Sequence, residues 1–191
     1  MANVNSAFGL MPIGKVGGAP YVAALRKCVV PASDGTALFV GDPVIYGGTA
    51  DVNGYPTILR ATAAGGNYIS GVVVGFEPDP LYMTQYRTAS TLRYALIETD
   101  PRTLFEIMED AVGGAMALTS VMDNVDLVAG AGSIYSGLSG FMADSSTANT
   151  TNTLQLRVQS IIDRIDNEAA AAYQKLAVSI NLHTELNLTG I

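Results

Sequence analysis

The side chains that usually do chemistry are few and scattered in this chain. His183 is its only histidine and Cys28 its only cysteine. One histidine cannot furnish a His-based metal set, and it leaves most nucleophile–histidine–acid triads without a site; His183 reads as a structural residue. Cys28 sits in Arg26-Lys27-Cys28-Val29-Val30. The neighbouring cations favour a thiolate, but the run reads better as a strand with a small apolar side chain. Carboxylates gather as Glu106, Glu109 and Asp110 after Phe105, and as Asp123 and Asp126 after Met122. General acid–base work needs two carboxyls converging in a cleft. On a strand, Glu106 points away from Phe105 and Ile107 and reads as a solvated face. Asp123-Asn124-Val125-Asp126 offers the oxygen ligands calcium prefers, without the spacing or terminal Glu of an EF-hand loop, so a capped turn is the reading. Gly130-Ala131-Gly132 lacks the third glycine and the following helix of a dinucleotide loop, and no P-loop string is present. These residues point to a non-enzymatic chain, with no cofactor and no metal expected.

Composition narrows the partners. The chain has 191 residues, 49% of them hydrophobic and only 14% charged, which excludes intrinsic disorder and leaves enough apolar surface for a core. Ten Lys and Arg against 17 Asp and Glu give a net charge of −7, the wrong sign for wrapping a phosphate backbone. Nucleic acid is therefore not an expected partner. Tyr82, Tyr86 and Tyr94 lie close in sequence, but few cations are interleaved with them for base stacking. A single cysteine closes no internal disulfide. The longest apolar stretch, Ala111 to Met122, is broken by Gly113 and Gly114 and is too short to span a bilayer as a helix, so no membrane partner is expected. The first residues show neither a basic nor a long apolar region of the secretory kind.

The elements that would position these groups read as β. Short apolar runs separated by turn residues recur about every ten residues, as in an all-β barrel or sandwich. Candidate strands are Arg26–Val30, Ala37–Val40, Val44–Tyr46, Thr57–Ala61, Ile69–Phe76, Leu92–Thr99, Leu104–Glu109, Val125–Val128, Thr153–Asp163 and Gln174–His183. The last two form a long hairpin through Arg164–Tyr173. Within that connection Asn167, Glu168 and Ala169 to Ala172 carry an N-cap and strong helix formers, so a short helical turn is expected there. Gly130–Ser133 and Asp144–Asn152 read as exposed surface loops. Residues 1–25 differ in texture. Gly9, Pro12, Gly14, Gly17, Gly18 and Pro20 leave no room for a helix or regular strand, yet Phe8, Leu10, Met11, Ile13 and Tyr21 are spaced through them. The expected division is an extended N-terminal arm over 1–25, its apolar residues lying on the chain's own barrel or on a neighbouring subunit, and one β-rich domain over 26–191 with long surface loops.

Across nearly its whole length the chain resembles the head-decoration, or capsid cement, proteins of tailed bacteriophages. The resemblance runs through Phe8-Gly9-Leu10-Met11-Pro12-Ile13-Gly14 and Gly17-Gly18-Ala19-Pro20-Tyr21, then Pro31-Ala32-Ser33-Asp34 and Phe39-Val40-Gly41-Asp42-Pro43-Val44. It continues through Ile69-Ser70-Gly71-Val72-Val73-Val74-Gly75-Phe76, Arg93–Phe105 with Glu106-Ile107, Asn124–Val128 and Asp144-Ser145-Ser146-Thr147. It closes on Leu154-Gln155-Leu156-Arg157, Asp166-Asn167-Glu168 and Ile180-Asn181.

The resemblance implies a β-barrel or β-sandwich made in the host bacterial cytoplasm. It implies assembly as a homo-oligomer, a trimer in preference to a dimer, on the outer capsid surface. The major capsid protein would be the partner, and contacts between its subunits would be cemented by binding several at once. Candidate capsid or subunit contacts are Phe8, Leu10, Met11, Ile13 and Tyr21; deleting residues 2–20 is then expected to abolish binding and spare the fold. A tail or head–tail connector protein and a glycan-binding surface module remain as alternatives.

Overall fold

The computed structural model describes residues 3–81 and 83–186, and the fold is all β. Among the described residues, twelve strands form in chain order. They are β1 (Met11–Lys15), β2 (Arg26–Val30), β3 (Pro43–Ala50), β4 (Pro56–Arg60), β5 (Gly71–Phe76), β6 (Arg93–Glu98), β7 (Thr103–Met108), β8 (Asn124–Val125), β9 (Leu127–Val128), β10 (Met142–Ala143), β11 (Leu156–Ile161) and β12 (Lys175–Ile180).

Strands β2–β6 close into a barrel in the order β2-β4-β3-β5-β6. All its pairs are antiparallel except β2–β4. Closure removes sheet edges, a recurrent solution for small β domains. Its core is Cys28, Val30, Leu38, Val44, Ile58, Val73, Ala95 and Ile97. The remaining long strands build an antiparallel sheet in the order β1-β7-β12-β11-β8. Phe105, Ile107, Leu176 and Val178 on one face of that sheet pack with Ala61, Ile69 and Val72 from the barrel side, so barrel and sheet share a second core. The short β9–β10 pair supplies Leu127 and Ala143 to the same core.

Several expectations are corrected. Residues 1–25 contain a regular strand, β1, paired with β7 through Met11↔Glu106 and Pro12↔Phe105. Proline is tolerated because β1 is an edge strand and the register shifts between Pro12 and Gly14. Leu10 is fully buried in the chain's own core and its N–H donates to the Gly41 carbonyl at 2.9 Å. That crossing needs glycine twice: a Cβ on Gly9 would stand 2.4 Å from the Gly41 oxygen, and one on Gly41 would stand 2.5 Å from the Phe8 oxygen. Residues 9–15 are thus part of the fold, and removing 2–20 takes away core and an edge strand together.

Ala37–Val40 is not a strand; it makes only single bridges, Leu38 with Arg87 and Val40 with Leu138. Partners that switch over three residues cannot propagate a ladder. Val125–Val128 splits at Asp126, where β8 leaves β11 and β9 takes β10. The Asp126 amide donates to Thr147 Oγ1 and its carboxylate accepts from the Gln155 amide at 3.2 Å, which fixes the switch. The Asp144–Asn152 tract is more ordered than a free loop. Asp144 caps a 3₁₀ turn at Ser145–Thr147, and Asn149 exchanges backbone bonds with Asn124.

The β11–β12 hairpin forms, but Glu168–Tyr173 makes no helical turn. Asn3 Nδ2 donates to the carbonyls of Glu168, Ala171 and Ala172, at 3.0, 3.5 and 3.1 Å. Asn167 spans the loop's neck, donating to the carbonyls of Ile162 and Lys175 and accepting from the Lys175 amide. Gln174 Oε1 takes the Ala170 N–H. Groups that a helix would pair internally are already satisfied, and Ala170 and Tyr173 adopt left-handed φ of 56° and 62°.

Candidate functional site: a groove beneath the N-terminal segment

Antiparallel register puts Met11, Glu106 and Ala177 side by side on the face of the sheet away from the core. Met108 and Lys175 are paired two residues along on the same face. The N-terminal segment crosses this end of the sheet, held by Asn3 at the hairpin loop and by the Ser6 amide against Met108 Sδ at 3.4 Å. Between segment and sheet lies a groove of about 590 Å³, with Val4, Phe8, Met11, Met108 and Leu138 as apolar walls.

Its rim is charged and internally neutral. Arg164 grips Glu106 through two bonds, at 2.7 and 3.2 Å, and also donates to Asp166 at 2.7 Å. Lys175 completes the set on the other oxygen of Asp166. Hydrogen bonds from Lys175 and Arg164 hold the Asp166 carboxyl down at about 2, and Glu106 and Asp166 raise the Arg164 guanidinium above its ordinary value. Every charge on the rim has its partner within the chain. Exposed pairs of this kind contribute little stability; they orient side chains around an apolar slot.

Of the five sequence candidates, the structure brings Phe8 and Met11 together in this groove. Leu10 is turned into the core and is unavailable for contact. Ile13 is exposed on edge strand β1, apart from the groove. Tyr21 lies elsewhere, its ring 5.7 Å from Lys15 Nζ, and burial beside the Glu98 carboxylate pushes its hydroxyl up to about 12. Glu106, read from sequence as solvated face, is half-buried and paired. Arg164, Asp166 and Lys175 were not singled out as a site; the Arg-x-Asp spacing inside a hairpin loop was their only sequence signal.

The remaining chemical candidates sit apart from one another. Cys28 is buried in the barrel core, and desolvation pushes its thiol up to about 11, away from thiolate reactivity. His183 is buried, its Nδ1 accepts from the Glu185 amide at 3.1 Å, and burial lowers its proton affinity. Glu109 Oε2 accepts from the Met116 amide and from Gln174 Nε2, while burial raises its carboxyl. Among the described residues no group of three His, Cys, Asp or Glu side chains is placed to hold a metal ion, and no helix is long and apolar enough to cross a membrane. Tyr86 stacks on Phe39 and Tyr94 meets Tyr55 edge-on, so each ring is engaged within the barrel's own surface; Tyr82 lies outside the described residues.

Compared with known protein families, with curated proteins and with solved structures, the chain matches none.

Proposed function

We propose that this chain is a structural virion protein that binds the outer surface of a tailed-phage capsid and cements contacts between major capsid protein subunits. The observation that carries the reading is the groove at Phe8, Met11 and Met108: apolar inside, with rim charges already paired to one another. Such a slot suits an apolar side chain of a protein partner and offers no reacting group to a substrate. The closed barrel and the shared core give the rigidity a clamp needs. The acidic balance suits a position outside the shell, away from the packaged genome.

The test is pelleting of the purified chain with phage capsids that lack it. Saturable co-sedimentation is expected. Val4→Asp, which alters an exposed groove residue and leaves the core alone, is expected to weaken it at least tenfold with an unchanged circular dichroism spectrum. Failure of the unaltered chain to pellet overturns the reading.

A further inference from the structure

No charged side chain lies between Asp126 and Asp144. The middle of that stretch is a closed, braced loop. The Ser133 N–H donates to the Leu138 carbonyl at 2.9 Å, and the Gly137 N–H donates to the Ser133 carbonyl at 2.8 Å. Val40 holds the returning leg, donating to the Gly137 carbonyl and accepting from the Ser139 amide. The two legs touch backbone to backbone, so that a Cβ on Gly130 would stand 2.2 Å from the Gly140 oxygen. The tip is not engaged in this way: Ile134 is 59% and Tyr135 94% exposed. A loop already ordered, with a bare tyrosine at its tip, loses little freedom on contact and carries a residue type enriched at interface hot spots.

The groove beneath the N-terminal segment matches that tip in charge and shape. Its walls are apolar, and Glu106, Arg164, Asp166 and Lys175 on its rim are already paired with one another. A charged insert would find no free counter-charge there, whereas an uncharged one desolvates no ion. The Asp166 carboxylate oxygens each accept from one cation and keep a further lone pair, which suits the O–H of a phenol entering the slot. The loop stands beside the groove of its own chain and not in it. Leu138 lines the slot, while Tyr135, three residues earlier, lies in water. A two-fold axis satisfies a knob and a slot set side by side on one face, each copy giving a loop and receiving one.

We infer that the groove at Phe8, Met11 and Met108 receives the Ile134–Tyr135 loop of a second copy of this chain, and gives its own loop in return. The contact is isologous and closes at two copies. It does not rest on the capsid reading, because it is a property of the isolated protein. On a capsid, the second copy and the capsid side chain compete for one groove, and the free dimer is the form in which the groove is covered.

The test uses full-length chains: unaltered, a loop variant (Ile134→Ser with Tyr135→Ser), the groove variant Val4→Asp, and the two variants mixed. Sedimentation velocity over rising concentration reads the assembly, and circular dichroism checks the fold. The unaltered chain is expected to pass from monomer to dimer and to stop there. Each variant alone is expected to dimerise at least about tenfold more weakly, the size of one lost hot-spot contact. The mixture should dimerise more tightly than either variant alone, because a loop-variant groove and a groove-variant loop still make one working contact. A monomeric unaltered chain at every concentration, assembly beyond two copies, dimers that survive either variant, or a mixture no tighter than its components each overturn the proposal. Capsid pelleting separates the two readings. The loop variant, its groove uncovered, is expected to pellet at least as well as the unaltered chain, and its loss would overturn the competition; failure of the unaltered chain to pellet overturns the capsid reading and leaves the dimer standing.

Discussion

Asn3 and Glu168, 165 residues apart, are joined by two reciprocal hydrogen bonds: Asn3 Oδ1 accepts from the Glu168 amide at 2.7 Å and Asn3 Nδ2 donates to the Glu168 carbonyl at 3.0 Å. A side-chain amide here does what a neighbouring strand would do, and it ties the first described residue to the hairpin loop. The N-terminal segment that walls the groove is positioned by this pair at one end and by the Gly9–Gly41 crossing at the other.

Asn3→Ala is expected to loosen the segment without unfolding the protein. Partly exposed neutral hydrogen bonds contribute about 1 kcal/mol net. Hydrogen exchange should report the change locally, with the Glu168 amide losing protection while β7 and β12 keep theirs. Unchanged exchange at Glu168 would mean the pair does not hold the segment in solution.

Leu10 and Val4 should behave as opposites. Leu10→Ala removes a fully buried side chain and is expected to cost about 2–5 kcal/mol in denaturant unfolding. Val4→Asp alters an exposed groove wall and should leave the midpoint nearly unchanged while weakening capsid pelleting. Equal stability effects would contradict the placement of the two residues.

Arg87 is the largest fully buried side chain among the described residues and acts as a hub for the loop before β3. Its Nε donates to the Thr91 carbonyl at 2.7 Å, its two terminal nitrogens reach the carbonyls of Thr36, Pro31 and Asp34, and Asp34 Oδ2 lies 3.5 Å away. A lysine ammonium carries its three donors on a single nitrogen and cannot serve four carbonyls spread around a planar guanidinium. Arg87→Lys is therefore expected to destabilise by upwards of about 2 kcal/mol through orphaned buried carbonyls; a loss within experimental error would refute the hub.

His183 sets a pH dependence whose sign is fixed by its burial. Desolvation lowers its folded pKa below the ordinary 6.5, against the pull of Glu185, Asp100 and Glu98. Below pH 6.5 the unfolded chain binds a proton that the folded chain does not, so stability falls as pH drops through that range. Asp42, Glu109 and Asp126, whose carboxyls burial raises, act in the opposite sense: their folded forms hold protons longer, so stability falls as pH rises through their transitions. The difference between the unaltered chain and His183→Gln isolates the histidine. Urea titrations from pH 7.5 to 5.5 should show a steeper loss with histidine than with glutamine, and parallel slopes would refute the assignment.

What the sequence made legible was local. Leu156 and Val158 alternating with Arg157 and Gln159, and Leu176 and Val178 with Lys175 and Ser179, identify β11 and β12 because the large apolar side chains recur with a period of two. The N-terminal strand was hidden because Pro12 and Gly14 interrupt it, and only pairing with β7 makes those residues acceptable. The Ala169–Ala172 run misled because what competes with a helix there is Asn3 at the far end of the chain. Leu10 and Phe8 look alike in sequence, yet the Gly9–Gly41 crossing sends one into the core and leaves the other at the groove. The rim of Glu106, Arg164, Asp166 and Lys175 is likewise a product of register between β7 and the hairpin loop, which composition does not encode.

The proposed place on a capsid surface is tested most directly by counting this chain in virions purified from cells that carry its gene, by quantitative mass spectrometry against the major capsid protein. The account predicts a ratio close to equimolar. A handful of copies per particle would assign the chain to a tail or connector, and its complete absence would contradict the virion reading altogether.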